Sequence, residues 1–284
     1  STPWKSTGRG LLGRKMNNRI NQLFQDSKDQ EGLLNVYFTA GFPKLDDTRK
    51  ILSALQRAGA DMVEIGIPYS DPVADGETIQ QSNQKALENG MTVKKLLEQL
   101  EGMREEITIP VVLMGYLNPI LQYGVEEFCR AASQVGVDGL ILPDLPLEEY
   151  RSEYQPIFDK YGLLNIFLIT PQTRPDRIRQ IDAVGSGFIY MVSSASVTGS
   201  KTGVNENMEN YFQRIAQMNL KNPRLIGFGI NNRESFLKAS RYGNGAIIGS
   251  AFIRILQNSS NLEEDINQFI SSIKPNNIDV VSVN

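Results

Sequence analysis

The stretch 61–81, DMVEIGIPYSDPVADGETIQQ, runs from a buried strand through a loop into a helix. Met62, Val63, Ile65 and Ile67 form a short apolar run of strand character. Glu64 interrupts that run, and a carboxylate inside an apolar strand is costly unless it is paired or used. Pro68 ends the strand, and Ser70-Asp71-Pro72 reads as turn chemistry. Asp75-Gly76 closes the loop, and a helix begins near Glu77. Glu64 therefore sits on a strand and Asp75 on the loop that follows it.

The same strand–helix unit repeats on both sides. Strands are predicted over 33–39, 110–114, 139–142, 165–169, 188–192, 224–226 and 245–248. Helices are predicted over 46–58, 78–88, 125–135, 147–161, 175–183, 204–218, 234–240 and 262–273, with a further helix capped by Thr92. The strands are short, apolar and β-branched, as in a parallel sheet buried on both faces. Regular alternation at this length predicts an α/β fold, a (β/α)8 TIM barrel, as one domain over 16–284. An open doubly wound sheet is the rival, but no Gly-x-Gly-x-x-Gly turn follows the first strand. Ile20, Leu23 and Phe24, at helical spacing within 17–25, predict a lid helix over the bottom of the barrel. An extra short helix is expected after strand eight, over 251–256. Residues 1–15 carry four basic residues, no acidic one and no periodicity, and are expected to be a disordered extension, natural or left by cloning.

Composition narrows the chemistry. The 284 residues include 29 basic and 32 acidic side chains, a net charge of −3, so no basic surplus points to nucleic acid or an anionic membrane. No apolar run is long enough to span a bilayer, and the N-terminus lacks the apolar region of a signal peptide, so a cytoplasmic location is expected. The chain has no histidine, which excludes a Ser-His-Asp triad, a Cys-His dyad and a His-ligated metal in the sequence as it stands. Cys129 is the sole cysteine and reads as a small buried hydrophobe rather than a reactive thiol. Acid–base work falls to carboxylates, Lys, Tyr or backbone.

In such barrels the site lies at the C-terminal ends of the strands. Glycine-bearing loops stand after strands six, seven and eight, at 193–203 (SSASVTGSKTG), 227–230 (GFGI) and 249–251 (GSA). Glycine lets a backbone N–H approach an anion, and Gly249-Ser250 opens the short extra helix, whose N-terminus favours negative charge. Backbone N–H groups and the Ser250 hydroxyl are therefore expected to hold a phosphate ester; the alternative is that these glycines only make turns. Glu64 and Asp75 are catalytic candidates, against a structural ion pair and a self-bonded loop residue. A Mg²⁺ site from Asp61, Glu64, Asp71 and Asp75 is disfavoured, because adjacent strand residues face opposite ways and Asp61 is at the wrong end. No metal is expected.

The segment VEIGIPYSDPVADGETIQ closely resembles the signature of the tryptophan synthase alpha subunit family. The resemblance continues through YFTAGFP (37–43), VGVDGLILPDLP (135–146), SVTG (196–199), GFGI and GSA, and covers about 16–274 in the right order. Ser196 stands where many relatives have glycine, and Ala195 where some have a hydroxyl residue.

The resemblance implies a lyase that cleaves indole-3-glycerol phosphate to indole and glyceraldehyde 3-phosphate by a retro-aldol reaction. It implies Glu64 as the acid–base residue at indole C3 and at the glycerol hydroxyl, and Asp75 as acceptor of the indole N–H. Tyr37, Met114 and Leu142 or Pro143 are implied to line the indole pocket, and Tyr190, at the end of strand six, matches a substrate-binding tyrosine near the catalytic glutamate. Gly199, Gly229, Gly249 and Ser250 match phosphate-binding positions. The loop 193–203 resembles a mobile lid whose Thr198 meets Asp75 on closure. The family's partner is a beta subunit, expected in an alpha2-beta2 assembly, that carries pyridoxal phosphate; no cofactor is expected in this chain. The resemblance also leaves room for a stand-alone indole-releasing lyase, another phosphate-binding barrel isomerase, or a regulatory chain that only docks.

Overall fold

The computed structural model describes residues 18–27, 31–72, 75–193 and 206–275. Eight strands form a closed parallel barrel in sequence order: β1 (Leu33–Thr39), β2 (Met62–Gly66), β3 (Val111–Met114), β4 (Gly139–Ile141), β5 (Leu164–Ile169), β6 (Ile189–Met191), β7 (Arg224–Ile226) and β8 (Gly245–Ile248). β8 closes on β1 with Leu33 opposite Gly245, which excludes the open sheet.

Period-two alternation divides each strand between two apolar compartments. On β1, Leu34, Val36 and Phe38 join the large cluster with the surrounding helices. Leu33 faces the other way, into a cluster with Met62, Val112, Ile141, Leu164, Ile166, Leu225 and Ile247 that fills the barrel axis. Cys129 packs in the outer cluster, and burial, with Glu126 second, pushes its thiol up to about 12, so it carries no thiolate at neutral pH.

The N-terminal end of the barrel is plugged by the helix Arg19–Asp26. Ile20 is fully buried in the axial cluster. Asn18 caps the helix, accepting from the Ile20 N–H at 2.9 Å, and its amide donates to the Asp138 carbonyl at 2.9 Å. The buried Asp138 carboxylate accepts from Arg19 at 3.0 Å, Arg104 at 2.7 Å and the Val111 N–H at 2.9 Å. At the same end, Asp61 accepts from Lys274 at 2.7 Å and from the Leu34 N–H at 2.9 Å.

Two helical details depart from expectation. A helix Leu117–Tyr123 follows β3, where none is predicted; Pro119 is tolerated there because first-turn N–H groups have no partner within the helix. The segment 147–161, expected as one α-helix, contains a π-helical turn over Tyr150–Tyr154 between Leu147–Glu149 and Gln155–Tyr161. The extra helix after β8 runs Ser250–Gln257.

Candidate active site

Glu64, the middle residue of β2, pairs with Tyr37 on β1 and Val112 on β3. Its side chain has no solvent exposure. The Asn35 amide donates to Glu64 Oε1 at 3.0 Å, while Oε2 has no partner among the described residues. Burial pushes this carboxyl up to about 8, opposed by the Asn35 hydrogen bond.

Asp75 lies on the loop after β2, its N–H bonded to the Pro72 carbonyl at 2.9 Å and its carbonyl to Gln80 Nε2 at 2.7 Å. Burial pushes its carboxyl up to about 6, and a hydrogen bond from the Tyr116 side chain pulls it down. At neutral pH the two groups therefore differ: Glu64 is mainly the neutral acid and Asp75 mainly the carboxylate.

Two phenols complete the cluster. Tyr37 lies buried beside Gly66, where a Cβ would stand 2.1 Å from the Tyr37 hydroxyl. That hydroxyl shares a 3.1 Å hydrogen bond with Thr39, which in turn bonds Ser82 at 2.7 Å. Tyr190 from β6 lies against Gly227, where a Cβ would be 2.3 Å from its ring. Burial raises both phenols above their ordinary value. Asp75 and Glu64 add to the rise at each, so both rings stand close to both carboxyls.

Met114 is half-buried at the end of β3 and packs against both apolar clusters. Leu142 is buried just past β4 in the cluster that contains Tyr37. Gly229 is exposed at φ +67°, with open space on its Cβ side. Gly249 lies 3.5 Å from Ile79 and 3.7 Å from Tyr37, measured from where its Cβ would be. It precedes the helix Ser250–Gln257, which has no side-chain cap; its first backbone bond is Ile253 N–H to the Gly249 carbonyl at 3.0 Å. The N–H groups of Ser250, Ala251 and Phe252 thus lack helical acceptors. The neighbouring helix Arg233–Tyr242 differs, being closed by an Asn232–Ser235 capping box. Thr198, Gly199 and the rest of the expected lid after Ser193 lie outside the described residues, as do residues 1–15.

The Mg²⁺ alternative fails on placement, since Lys274 engages Asp61 at the opposite end of β2 from Asp75. Among the described residues no three His, Cys, Asp or Glu side chains gather as a metal site would need. The sequence reading missed Asn35 and Tyr116. The one mark of Asn35 in the sequence is an amide inside an apolar strand, two residues before Tyr37, and its partner is set only by the barrel register.

The fold and this site define a class, the (β/α)8-barrel enzymes with a functional mouth at the C-terminal ends of the strands. A sequence model described as tryptophan synthase alpha chain matches residues 23–279. The tryptophan synthase alpha chain of Flavobacterium psychrophilum is 56% identical over 256 residues, spanning 90% of this chain and 99% of the relative. That of Flavobacterium johnsoniae is 54% identical over 257 residues, spanning 90% and 100%. The crystal structure of tryptophan synthase subunit alpha from Legionella pneumophila superposes with a TM-score of 0.81 at 34% identity, covering 90% of this chain and 97% of that one. The chain belongs to the tryptophan synthase alpha chain family. Its reaction is the cleavage of indole-3-glycerol phosphate to indole and glyceraldehyde 3-phosphate, with indole passing to a beta subunit for tryptophan synthesis. No helix among the described residues is long and apolar enough to cross a membrane.

Proposed function

We propose that Glu64 and Asp75 carry this cleavage as an acid–base pair. The observation that carries the reading is the placement of Glu64, with no solvent exposure and an Oε2 that has no partner among the described residues; burial raises it to about 8 and Asp75 to about 6. Neighbouring carboxyls pushed to different pKa values take different roles.

Retro-aldol cleavage needs a proton at indole C3. Neutral Glu64 delivers it through Oε2, the oxygen that has no partner among the described residues. Positive charge then develops on the ring N–H, and ionised Asp75 accepts that N–H and stabilises the charge. The Glu64 carboxylate left behind removes the proton from the adjacent glycerol hydroxyl. The O–H electron pair becomes the aldehyde C=O, the C–C bond breaks, and its electrons return to the ring as neutral indole. Glu64 ends protonated, so the cycle balances.

Tyr37, Met114, Leu142 and Tyr190 form the walls for the indole ring in this reading. Gly229, Gly249, Ser250 and the uncapped helix N-terminus after β8 hold the phosphate, with Gly199 from the loop after β6. Thr198 meets Asp75 when that loop closes. The beta subunit docks on the loops after β2, β3 and β4, in an alpha2-beta2 assembly. Support comes from Leu121, a large apolar side chain 51% exposed on the helix after β3. Pyridoxal phosphate belongs to that partner, and the reaction takes place in the cytoplasm.

The test is release of glyceraldehyde 3-phosphate from indole-3-glycerol phosphate, with and without a beta subunit. Wild-type turnover that rises on adding the partner, and a Asp75→Asn variant that stays slow in both conditions, support the reading. Normal turnover by that variant overturns Asp75's role, and indifference to the partner overturns the docking.

A further inference from the structure

Glu64 is enclosed, and among the described residues one polar side chain, Asn35, is hydrogen-bonded to it. Asn35 and Glu64 both have no solvent exposure, and they lie on adjacent strands. The Asn35 Nδ2–Glu64 Oε1 distance is 3.0 Å. The remaining oxygens of both side chains, Asn35 Oδ1 and Glu64 Oε2, have no hydrogen-bond partner among the described residues. Leaving two polar atoms unsatisfied in a barrel core is costly, so the pair is not explained as a stabilising contact.

We propose that Asn35 is a positioning residue for the cleavage reaction: its amide fixes Oε1 of Glu64 and leaves Oε2 as the oxygen that exchanges protons with the substrate. This rests on the reading of Glu64 as the acid–base group. An amide suits the task because its N–H is an uncharged donor that Oε1 accepts in both protonation states of the carboxyl. Its N–H holds the carboxylate after proton delivery. When Glu64 is the neutral acid, the same N–H meets the acid's carbonyl oxygen, Oε1, and the acid proton stands on Oε2. A cation at this place would lock Glu64 as carboxylate, and an apolar residue would leave it without any hold.

The titratable groups that face Glu64 among the described residues are Tyr37 from β1 and Tyr190 from β6, with Asp75 from the loop after β2 acting on both phenols. Among the described residues no lysine or arginine contributes to its ionisation. Asn35 is thus the group that opposes burial, and its removal drives Glu64 further toward the neutral form.

The test uses the intact chain with two variants, Asn35→Leu and Asn35→Asp. Leucine removes donor and acceptor at similar size; aspartate keeps the shape, so packing is spared if leucine folds poorly. Two readouts are taken: the pH profile of kcat/KM for indole-3-glycerol phosphate cleavage, and a ¹³C NMR titration of labelled glutamate carboxyls, with Glu64 assigned by its loss in Glu64→Gln. In both variants the Glu64 titration and the alkaline limb of the profile move up together, by about one pH unit. In Asn35→Leu kcat falls about tenfold while KM changes less. An unchanged Glu64 titration in both variants overturns the role of Asn35. A titration that moves while the profile stays fixed shows that Asn35 acts on a carboxyl that does not govern the reaction. That outcome overturns the inference together with the reading of Glu64 beneath it.

Discussion

The Tyr116 side chain, from the loop after β3, hydrogen-bonds the Asp75 carboxyl on the loop after β2. Tyr116 is buried and stacks on Tyr69, with centroids 5.2 Å apart and planes 27° from parallel. The next residue, Leu117, donates its N–H to Asp144 past β4 at 3.0 Å. One short path of contacts therefore ties Asp75 to the loops after three successive strands.

Tyr116→Phe keeps the stacked ring and removes the donor to Asp75. That donor lowers a carboxyl that burial has raised to about 6, so its loss moves Asp75 higher. In the proposed mechanism Asp75 works ionised, so the acid limb of kcat/KM is expected to shift to higher pH. The activity loss is larger near pH 6 than near pH 8. A loss equal at all pH values would contradict this role.

The two carboxyls also predict a pH dependence of stability. A carboxyl raised in the folded chain binds its proton more tightly there than when unfolded. Stability is therefore greatest below the ordinary carboxyl value and falls as pH rises through about 6 for Asp75 and about 8 for Glu64. Glu64→Gln removes the Glu64 part. Urea unfolding at about pH 9 is expected to show the variant more stable than wild type, by a difference on the order of a few kcal/mol that vanishes near pH 5. Parallel stability curves would mean Glu64 titrates normally.

Gly66→Ala is expected to damage the site from beneath. The added Cβ would lie 2.1 Å from the Tyr37 hydroxyl and 2.7 Å from its ring, which forces the phenol away from the mouth. The cost is about 1–3 kcal/mol of stability with a fall in turnover. Combined with Tyr37→Leu, the alanine should cost less than it does alone, a coupling that a double-mutant cycle measures. Strict additivity would remove the contact as the cause.

Asp138→Ala separates stability from function. It strips Arg104, Arg19 and the Val111 N–H of a shared acceptor at the N-terminal end of the barrel. The Arg104 side chain is only 16% exposed, so its charge is left poorly solvated. Unfolding should become easier by about 3 kcal/mol or more. Turnover of the folded fraction at low temperature should match wild type, because the site lies at the other end of the strands.

Legibility followed the kind of signal each feature leaves. The strands showed as short β-branched runs, and Glu64 as the carboxylate interrupting one of them. Asp75 stood out through its turn chemistry and its family motif. Asn35 did not, because LLNVYFT reads as one apolar strand until the barrel register sets Asn35 beside Met62 and Tyr37 beside Glu64. Tyr116 was hidden likewise, since its partner is 41 residues away, at Asp75, and only barrel closure brings the two loops together. The π-helical turn at Tyr150–Tyr154 leaves no mark in side-chain spacing over so few residues.

The central claim is that Glu64 moves the proton that starts cleavage. Single-turnover cleavage of saturating indole-3-glycerol phosphate by Glu64→Gln, at neutral pH, tests it most directly. The side chain keeps its size and its contact with Asn35 but has no acid proton to give. Cleavage slowed by about a hundredfold or more, with substrate still bound, is the predicted result. Cleavage within about threefold of wild type would contradict the account, because an acid–base residue of this kind contributes far more than that.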